Sequence, residues 1–76
     1  MIVISLILIE GKNLKKEALS FSLLNAKQLI IGNASQFGWI LHLAANSITD
    51  LDKALLEFAN IPGVKNVTVL ALRNTG

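Results

Sequence analysis

The sequence predicts a small α+β domain in which strands and helices follow the order β-α-β-β-α-β. Three observations lead to this prediction. Several runs of branched and aliphatic residues are typical of strands, one long segment carries apolar residues at helical spacing, and turn-forming residues separate these segments. The 76 residues suffice for one domain and are too few for two.

The first strand is predicted from Ile2 to Ile9, where Ser5 is the one polar side chain. Both faces of this strand are apolar, which is typical of a central strand that is covered on both sides. The run also resembles the apolar part of a signal peptide, but no basic residue precedes it and no small-residue cleavage site follows. It is shorter than the about 20 residues that cross a bilayer. We therefore expect a buried strand and a cytoplasmic protein.

The segment from Leu14 to Leu24 admits two interpretations. Apolar residues recur along it at helical spacing, whereas Leu19 to Leu23 alternates with the period of a strand. Because residues 15–18 are good helix formers, we predict a short helix from Leu14 to Leu24 with Asn13 as its N-cap. The strand interpretation stays open.

A β-hairpin is predicted next. Its first strand runs from Lys27 to Ile31, its turn is Gly32-Asn33-Ala34-Ser35, and Phe37 to Ala45 returns. Alternation along the returning strand divides its side chains between two faces. One face carries Trp39, Leu41, Leu43 and Ala45, and the other carries Ile40, His42, Ala44 and Asn46.

The second helix has the clearest pattern. Its apolar stripe consists of Leu51, Ala54, Leu55, Phe58 and Ala59. We predict Thr49 as the N-cap, with Asp52 in an acidic version of the capping box, and Pro62-Gly63 as the stop. Val64 to Arg73 is the last predicted strand. Its predicted faces are Val67, Val69 and Ala71 on one side, and Thr68, Leu70 and Leu72 on the other.

This element order is that of the ferredoxin-like arrangement, in which a four-stranded antiparallel sheet carries two helices on one face. The other face of such a sheet is bare. Because 53% of the residues are hydrophobic, a chain this short cannot bury all of its apolar side chains in one core. We therefore expect a homo-oligomer that associates through the open sheet face.

The second half of the chain resembles ligand-sensing regulatory domains, namely ACT domains and the sensing domains of leucine-responsive (Lrp/AsnC) regulators. The residues that carry the resemblance are the turn Gly32–Ser35, the strand Trp39–Leu43, the helix Asp50–Phe58 and the step Ile61-Pro62-Gly63-Val64. After the first strand, Glu10-Gly11-Lys12-Asn13 keeps the acid and the glycine of ACT domains but lacks their proline. The resemblance implies a stand-alone sensing module that binds an amino acid or another small metabolite between subunits.

A set of polar and aromatic residues forms the predicted ligand site. Its members are Gly11, Lys12, Asn13, Gly32, Asn33, Ser35, Gln36, Trp39 and His42. The first three offer backbone N–H groups at an expected helix start, and the turn residues form a polar patch beside Trp39. Each residue also has a structural interpretation: a cap, an ordinary turn, or a packing or interface side chain.

The composition argues against several other functions. Without cysteine, disulfides and thiolate metal sites are excluded, and the single histidine, His42, cannot form a metal cage. No nucleophile–base pair or phosphate-binding glycine loop is present, so we predict no catalytic residue, metal or cofactor. The net charge is +2, and the one basic cluster, Lys12, Lys15 and Lys16, is typical of a solvated surface. We therefore expect neither nucleic acid nor membrane as a partner.

Three hypotheses about function remain open. The first is a small-molecule-sensing module that acts as a homo-oligomer. The second is an assembly module without a ligand. The third, a small dimeric α+β barrel enzyme, requires His42, Trp39 and Asn46 in one cavity, yet strand alternation places Trp39 opposite the other two.

Overall fold

The computed structural model describes residues 2–35 and 38–75. These residues contain four strands and one α-helix, together with a single 3₁₀ turn. The elements are β1 (Ile2–Gly11), the 3₁₀ turn (Lys16–Leu19), β2 (Ala26–Ser35), β3 (Gly38–Ala45), α1 (Ile48–Ala59) and β4 (Val64–Thr75). The predicted α+β class with an antiparallel sheet is confirmed.

The sheet has the strand order β2-β3-β1-β4, and β1 is central as predicted. Every neighbouring pair is antiparallel, and the β1–β3 pair is regular from Val3 opposite Ala45 to Glu10 opposite Gly38. Because β3 and β4 both run antiparallel to β1, they are parallel to each other, and α1 joins them across β1. In the same way, β1 and β2 flank β3, but no α-helix joins those two strands.

The core lies on one side of the sheet, which we call the helix face; the other side is the open face. Alternate residues of β1 and β3 point into the core, where they meet Leu51, Ala54 and Phe58 of α1. The core residues are Val3, Ile7, Ile9, Leu19, Leu41, Leu43, Ala45, Leu51, Ala54 and Phe58. Ser5 is buried among them, and its Oγ has no hydrogen-bond partner among the described residues.

Residues 12–25, which we call the strap, cover the helix face together with α1, although Val69 and Leu72 of the edge strand β4 stay exposed there. Leu19 is fully buried, and the ring of Phe21 lies 5.1 Å from that of Phe58. Side chains from the sheet donate hydrogen bonds to strap carbonyls. Gln28 Nε2 donates to the carbonyl oxygens of Leu19 and Phe21. Trp39 Nε1 donates to that of Leu14 over 3.0 Å. The sheet thus supplies hydrogen-bond donors for strap carbonyl groups, which in a helix would accept from backbone N–H groups of the same helix.

The predicted helix from Leu14 to Leu24 is wrong, and the strand alternative is also not formed. The strap has only the 3₁₀ turn and one isolated bridge between Leu23 and Ala26. Ser20 Oγ donates to the Lys16 carbonyl over 3.0 Å, a local bond that competes with helix propagation. Asn13 has a φ of 57°, which is incompatible with the extended conformation of an N-cap.

The predicted hairpin turn at Gly32–Ser35 is also wrong, because these residues continue β2. Gly32 pairs with Ile40, and Ser35 pairs with Gly38. Two register shifts against β3, between Ile30 and Gly32 and between Asn33 and Ser35, let this irregular edge strand accommodate the turn-type residues as paired positions. Gln36 and Phe37, which connect β2 to β3, lie outside the described residues.

Ser47, not Thr49, is the N-cap of α1. Ser47 Oγ accepts from the backbone N–H of Asp50 over 3.1 Å and donates to Asp50 Oδ2 over 2.9 Å. Ser47 and Asp50 have the same spacing as Thr49 and Asp52. The capping-box pattern alone therefore does not determine which of the two pairs begins the helix. Within the predicted stripe, Ala59 is exposed.

The predicted faces of β4 are correct only for its first half. A register shift against β1 makes Leu70 an extra residue, and the alternation reverses beyond it. Ala71 therefore lies opposite Leu6 on the open face, whereas Leu72 lies opposite Ser5 on the helix face. Nothing in the sequence pattern indicates this bulge.

We predict that Gln28→Glu lowers the free energy of unfolding by about 2–4 kcal/mol, since a carboxylate cannot donate to the two strap carbonyls and is repelled by them. Chemical denaturation at neutral pH measures the change. Glu17→Gln, an exposed charge change on the strap itself, serves as the control and should alter stability by less than about 0.5 kcal/mol. Equal stability of the Gln28→Glu variant and the wild type would contradict the role given to Gln28.

Candidate functional site

An apolar patch covers the middle of the open face. We call it the open-face patch, and its members are Leu29 of β2, Ile40, His42 and Ala44 of β3, Ile4, Leu6 and Leu8 of β1, and Ala71 of β4. Strand pairing places Leu29, His42, Leu6 and Ala71 in one row across all four strands. Leu29 is 66% exposed. Both α1 and the strap pack on the opposite face, so this patch faces outward.

Charged side chains lie only at the two ends of this patch, as far as the described residues show. At one end, Lys27 pairs with Ala44 and Arg73 pairs with Ile4. At the other end, Glu10 follows Leu8 on the same face of β1. Between these ends, His42 is the one titratable group. The centre of the open face is therefore apolar except for the imidazole of His42.

The edges of the sheet are less regular than its centre. Both register shifts of the β2–β3 pair and both of the β1–β4 pair involve an edge strand, while the central β1–β3 pair has none. Bulges twist an edge strand and leave residues unpaired, so they disfavour the addition of another strand. Both edges are therefore poorly suited to pairing with a further strand.

A shallow cavity of about 270 Å³ lies at the end of the sheet where β1 finishes and β4 begins. Its lining residues are Glu10, Gly11, Lys12, Lys65 and Asn66. Two of them, Gly11 and Lys12, belong to the predicted ligand set. Lys65 and Asn66 do not belong to that set. The one sequence signal for them is their position at the start of the last predicted strand, just after the Pro62-Gly63 stop.

Gly11 has a structural role in this cavity. A Cβ atom at this position would overlap the carbonyl oxygen of Gly63, which is backbone and cannot easily move. The next residue, Lys12, donates its N–H to the same carbonyl over 3.1 Å. Gly11 thus permits the close approach of β1 to the loop before β4, and the side chain of Lys12 remains exposed.

The remaining predicted ligand residues lie on different surfaces. Ser35, Gly38 and Glu10 align across β2, β3 and β1, so the hairpin reaches the same end of the sheet as Gly11. Gly32 and Asn33 nevertheless do not line the cavity. Asn13 is exposed and follows Lys12 in the chain, but it is not a lining residue either. Gln36 lies outside the described residues.

Trp39 and His42 lie on opposite faces, as alternation predicted. Trp39 pairs with Ile9 on the helix face and is bound to the strap, whereas His42 pairs with Leu6 on the open face. Asn46 lines a separate cavity of about 420 Å³ beside Ile2 and Asn25. The described structure therefore does not bring Trp39, His42 and Asn46 into one cavity, which removes the geometry that the barrel-enzyme hypothesis requires.

A groove of about 640 Å³ lies between the strap and β2. It is lined by exposed lysine and serine side chains together with Phe21, Leu23 and Leu29. Within residues 2–35 and 38–75, no group of three or more His, Asp or Glu side chains is placed to hold a metal ion. No helix among these residues is long and apolar enough to cross a membrane.

Comparison with models of known protein families, with curated proteins and with solved structures finds no match to this chain. The resemblance of Gly32–Arg73 to ACT and Lrp/AsnC sensing domains therefore stays a prediction.

We predict that Gly11→Ala lowers the free energy of unfolding by about 1–3 kcal/mol or more, because the new methyl group overlaps the Gly63 carbonyl. Thermal or chemical denaturation measures the loss. Lys12→Ala is the matched control, since it keeps the backbone N–H that bonds Gly63 and removes only an exposed side chain. A Gly11→Ala variant as stable as the control would show that β1 and the loop do not approach so closely.

Proposed function

We propose that this chain is a self-associating module in which a second copy covers the open-face patch. The observation that carries the proposal is the distribution of apolar residues on β1. Val3, Ile7 and Ile9 enter the core, while Ile4, Leu6 and Leu8 form the middle of a face that α1 and the strap leave uncovered. Exposed apolar patches of this kind mark interaction surfaces.

The size of the open face favours a second copy as the occupant. Four strands about 4.8 Å apart and about eight residues long, at about 3.3 Å per residue, give a projected area of about 500 Å². Two such faces bury about 1,000 Å², the lower limit for a specific interface. A smaller partner surface would fall below that limit, whereas a second copy supplies a face of equal size and equal apolarity.

Sheet packing also suits this chemistry. Two sheets that pack face to face lie about 10 Å apart and interdigitate the side chains of their inner faces. The patch provides aliphatic side chains at its centre and charged ones at its ends, which is the pattern of an apolar interface core with a polar rim. The bulged edges support the same arrangement, since they disfavour association by strand addition.

We predict that Leu29→Glu weakens self-association at least tenfold, because it places a carboxylate on the apolar surface that the second copy would cover. Leu56→Glu on α1 is the matched control: Leu56 is 64% exposed against 66% for Leu29, but it lies on the helix. Sedimentation velocity across a concentration series measures the association constants. Leu6→Glu tests the centre of the patch, and circular dichroism confirms that each variant is folded.

A wild-type chain that remains monomeric throughout the series would overturn the proposal. Dissociation by Leu56→Glu with no effect of either open-face variant would overturn it too, because it would place the interface on α1.

The strand order supports a ferredoxin-like assignment of the fold. Its second unit, β3-α1-β4, is a split βαβ unit with β1 between its parallel strands. In the first unit, the strap takes the position of the missing helix and covers the same face. We infer that the fold is a reduced form of this arrangement in a cytoplasmic protein, and that the second-half resemblance to sensing domains follows from the complete second unit.

Ligand sensing is the second candidate function, and the cavity at the end of β1 favours it. Glu10, Lys12 and Lys65 all line it, so one acidic and two basic residues border the same small space. Residues of opposite charge around one cavity complement a zwitterion, whose ammonium group would bind Glu10 and whose carboxylate would bind a lysine. An amino acid, or a small metabolite of the same charge pattern, is the corresponding ligand class.

We predict that an amino acid in a systematic screen raises the melting temperature of the wild type, and that Lys65→Ala abolishes the shift, because binding to the folded state stabilises it. Lys53→Ala, an exposed lysine on α1, should retain the shift. Absence of a shift for every amino acid would leave assembly without a ligand as the function.

A further inference from the structure

His42 occupies the centre of the surface that we propose to be the self-association interface. Its direct neighbours across the strands are Leu6 on β1 and Leu29 on β2. Ile40 and Ala44 precede and follow it on the same face of β3. The side chain is half-buried in the single chain, and a second copy on the open face would remove it further from water.

We propose that protonation of His42 regulates self-association, so that the chain associates when the imidazole is neutral and dissociates when it is charged. This inference rests on the proposed function, because it requires the open face to be the interface. Burial of an imidazolium among aliphatic side chains is costly unless an acidic partner compensates for the charge.

The described residues around His42 supply no such acidic partner. On β2, Lys27 is a diagonal neighbour and its positive charge opposes a second one nearby. On β1, the diagonal neighbours are Ile4 and Leu8. The remaining charged groups of the open face lie at its ends: Arg73 on β4, two strands away, and Glu10, beyond Leu8 on β1.

The direction of the pH effect follows from which state binds the proton. The separated chains leave the imidazole accessible to water and to protons, whereas the associated form excludes the charged imidazole. Association is therefore strong above the titration range of histidine and is lost as the pH falls through it. Each copy of a dimer contributes one imidazole that must be neutral, so association weakens by up to about a hundredfold for each unit that the pH falls below the histidine range.

The test measures the association constant by sedimentation velocity at about pH 8 and about pH 5.5, on either side of the histidine range. The wild type is compared with His42→Gln, which stays neutral, and with His42→Lys, which stays charged. We expect the wild type to weaken about a hundredfold at the lower pH, the His42→Gln variant to associate equally at both, and the His42→Lys variant to associate weakly at both. Circular dichroism at each pH confirms folding.

The outcomes separate this inference from the function on which it rests. A wild type that is monomeric at both pH values overturns the self-association itself. A wild type that associates equally at both values overturns only the role of His42, as does a His42→Gln variant that keeps the full pH dependence. Stronger association at the lower pH would also overturn it, because the charged imidazole would then favour the associated form.

Discussion

The structure depends on a mismatch between the apolar residues of β1 and the elements available to cover them. β1 presents Val3, Ile7 and Ile9 to one side and Ile4, Leu6 and Leu8 to the other. The described residues form one α-helix and one strap, and both are used on the same face. No other element among residues 2–35 and 38–75 covers the second face. A single copy, as described, therefore satisfies only half of the hydrophobic pattern that its central strand carries.

The strap shows how half of the sheet can be covered without a second helix. A helix would satisfy its own backbone carbonyls, so its position could be set by apolar packing alone. The strap instead receives hydrogen bonds from the sheet, through Gln28 and Trp39, and anchors itself with Leu19 and Phe21. Its placement thus depends on a few polar contacts at specific carbonyls. Loss of one of these side-chain donors therefore acts directly on the strap, whereas α1 is held by its apolar stripe.

The features that were predictable from sequence are those governed by local periodicity. The existence of α1 and the opposite faces of Trp39 and His42 follow from periods of 3.6 and two residues, and the central position of β1 follows from its two apolar faces. The strap was not predictable, because the donors that replace its helical bonds come from β2 and β3. Similarly, Gly32–Ser35 has turn chemistry but lies in a bulged edge strand, and the bulge at Leu70 depends on pairing with β1. At the cavity, sequence suggested that Gly11 binds a ligand, whereas the approach of Gly63 explains the glycine sterically.

Glu10 connects the two surfaces for which we propose functions. It is the last residue of β1 on the open face, and it also lines the cavity with Lys12 and Lys65. A second copy that covered the open face and a zwitterion bound in the cavity would both lie near this residue. If the associated chain bound the ligand more tightly than the single chain, the ligand would strengthen association by the same factor, because the two equilibria are thermodynamically linked. Assembly and sensing are for this reason compatible functions of one small sheet, with β1 as the element that both share.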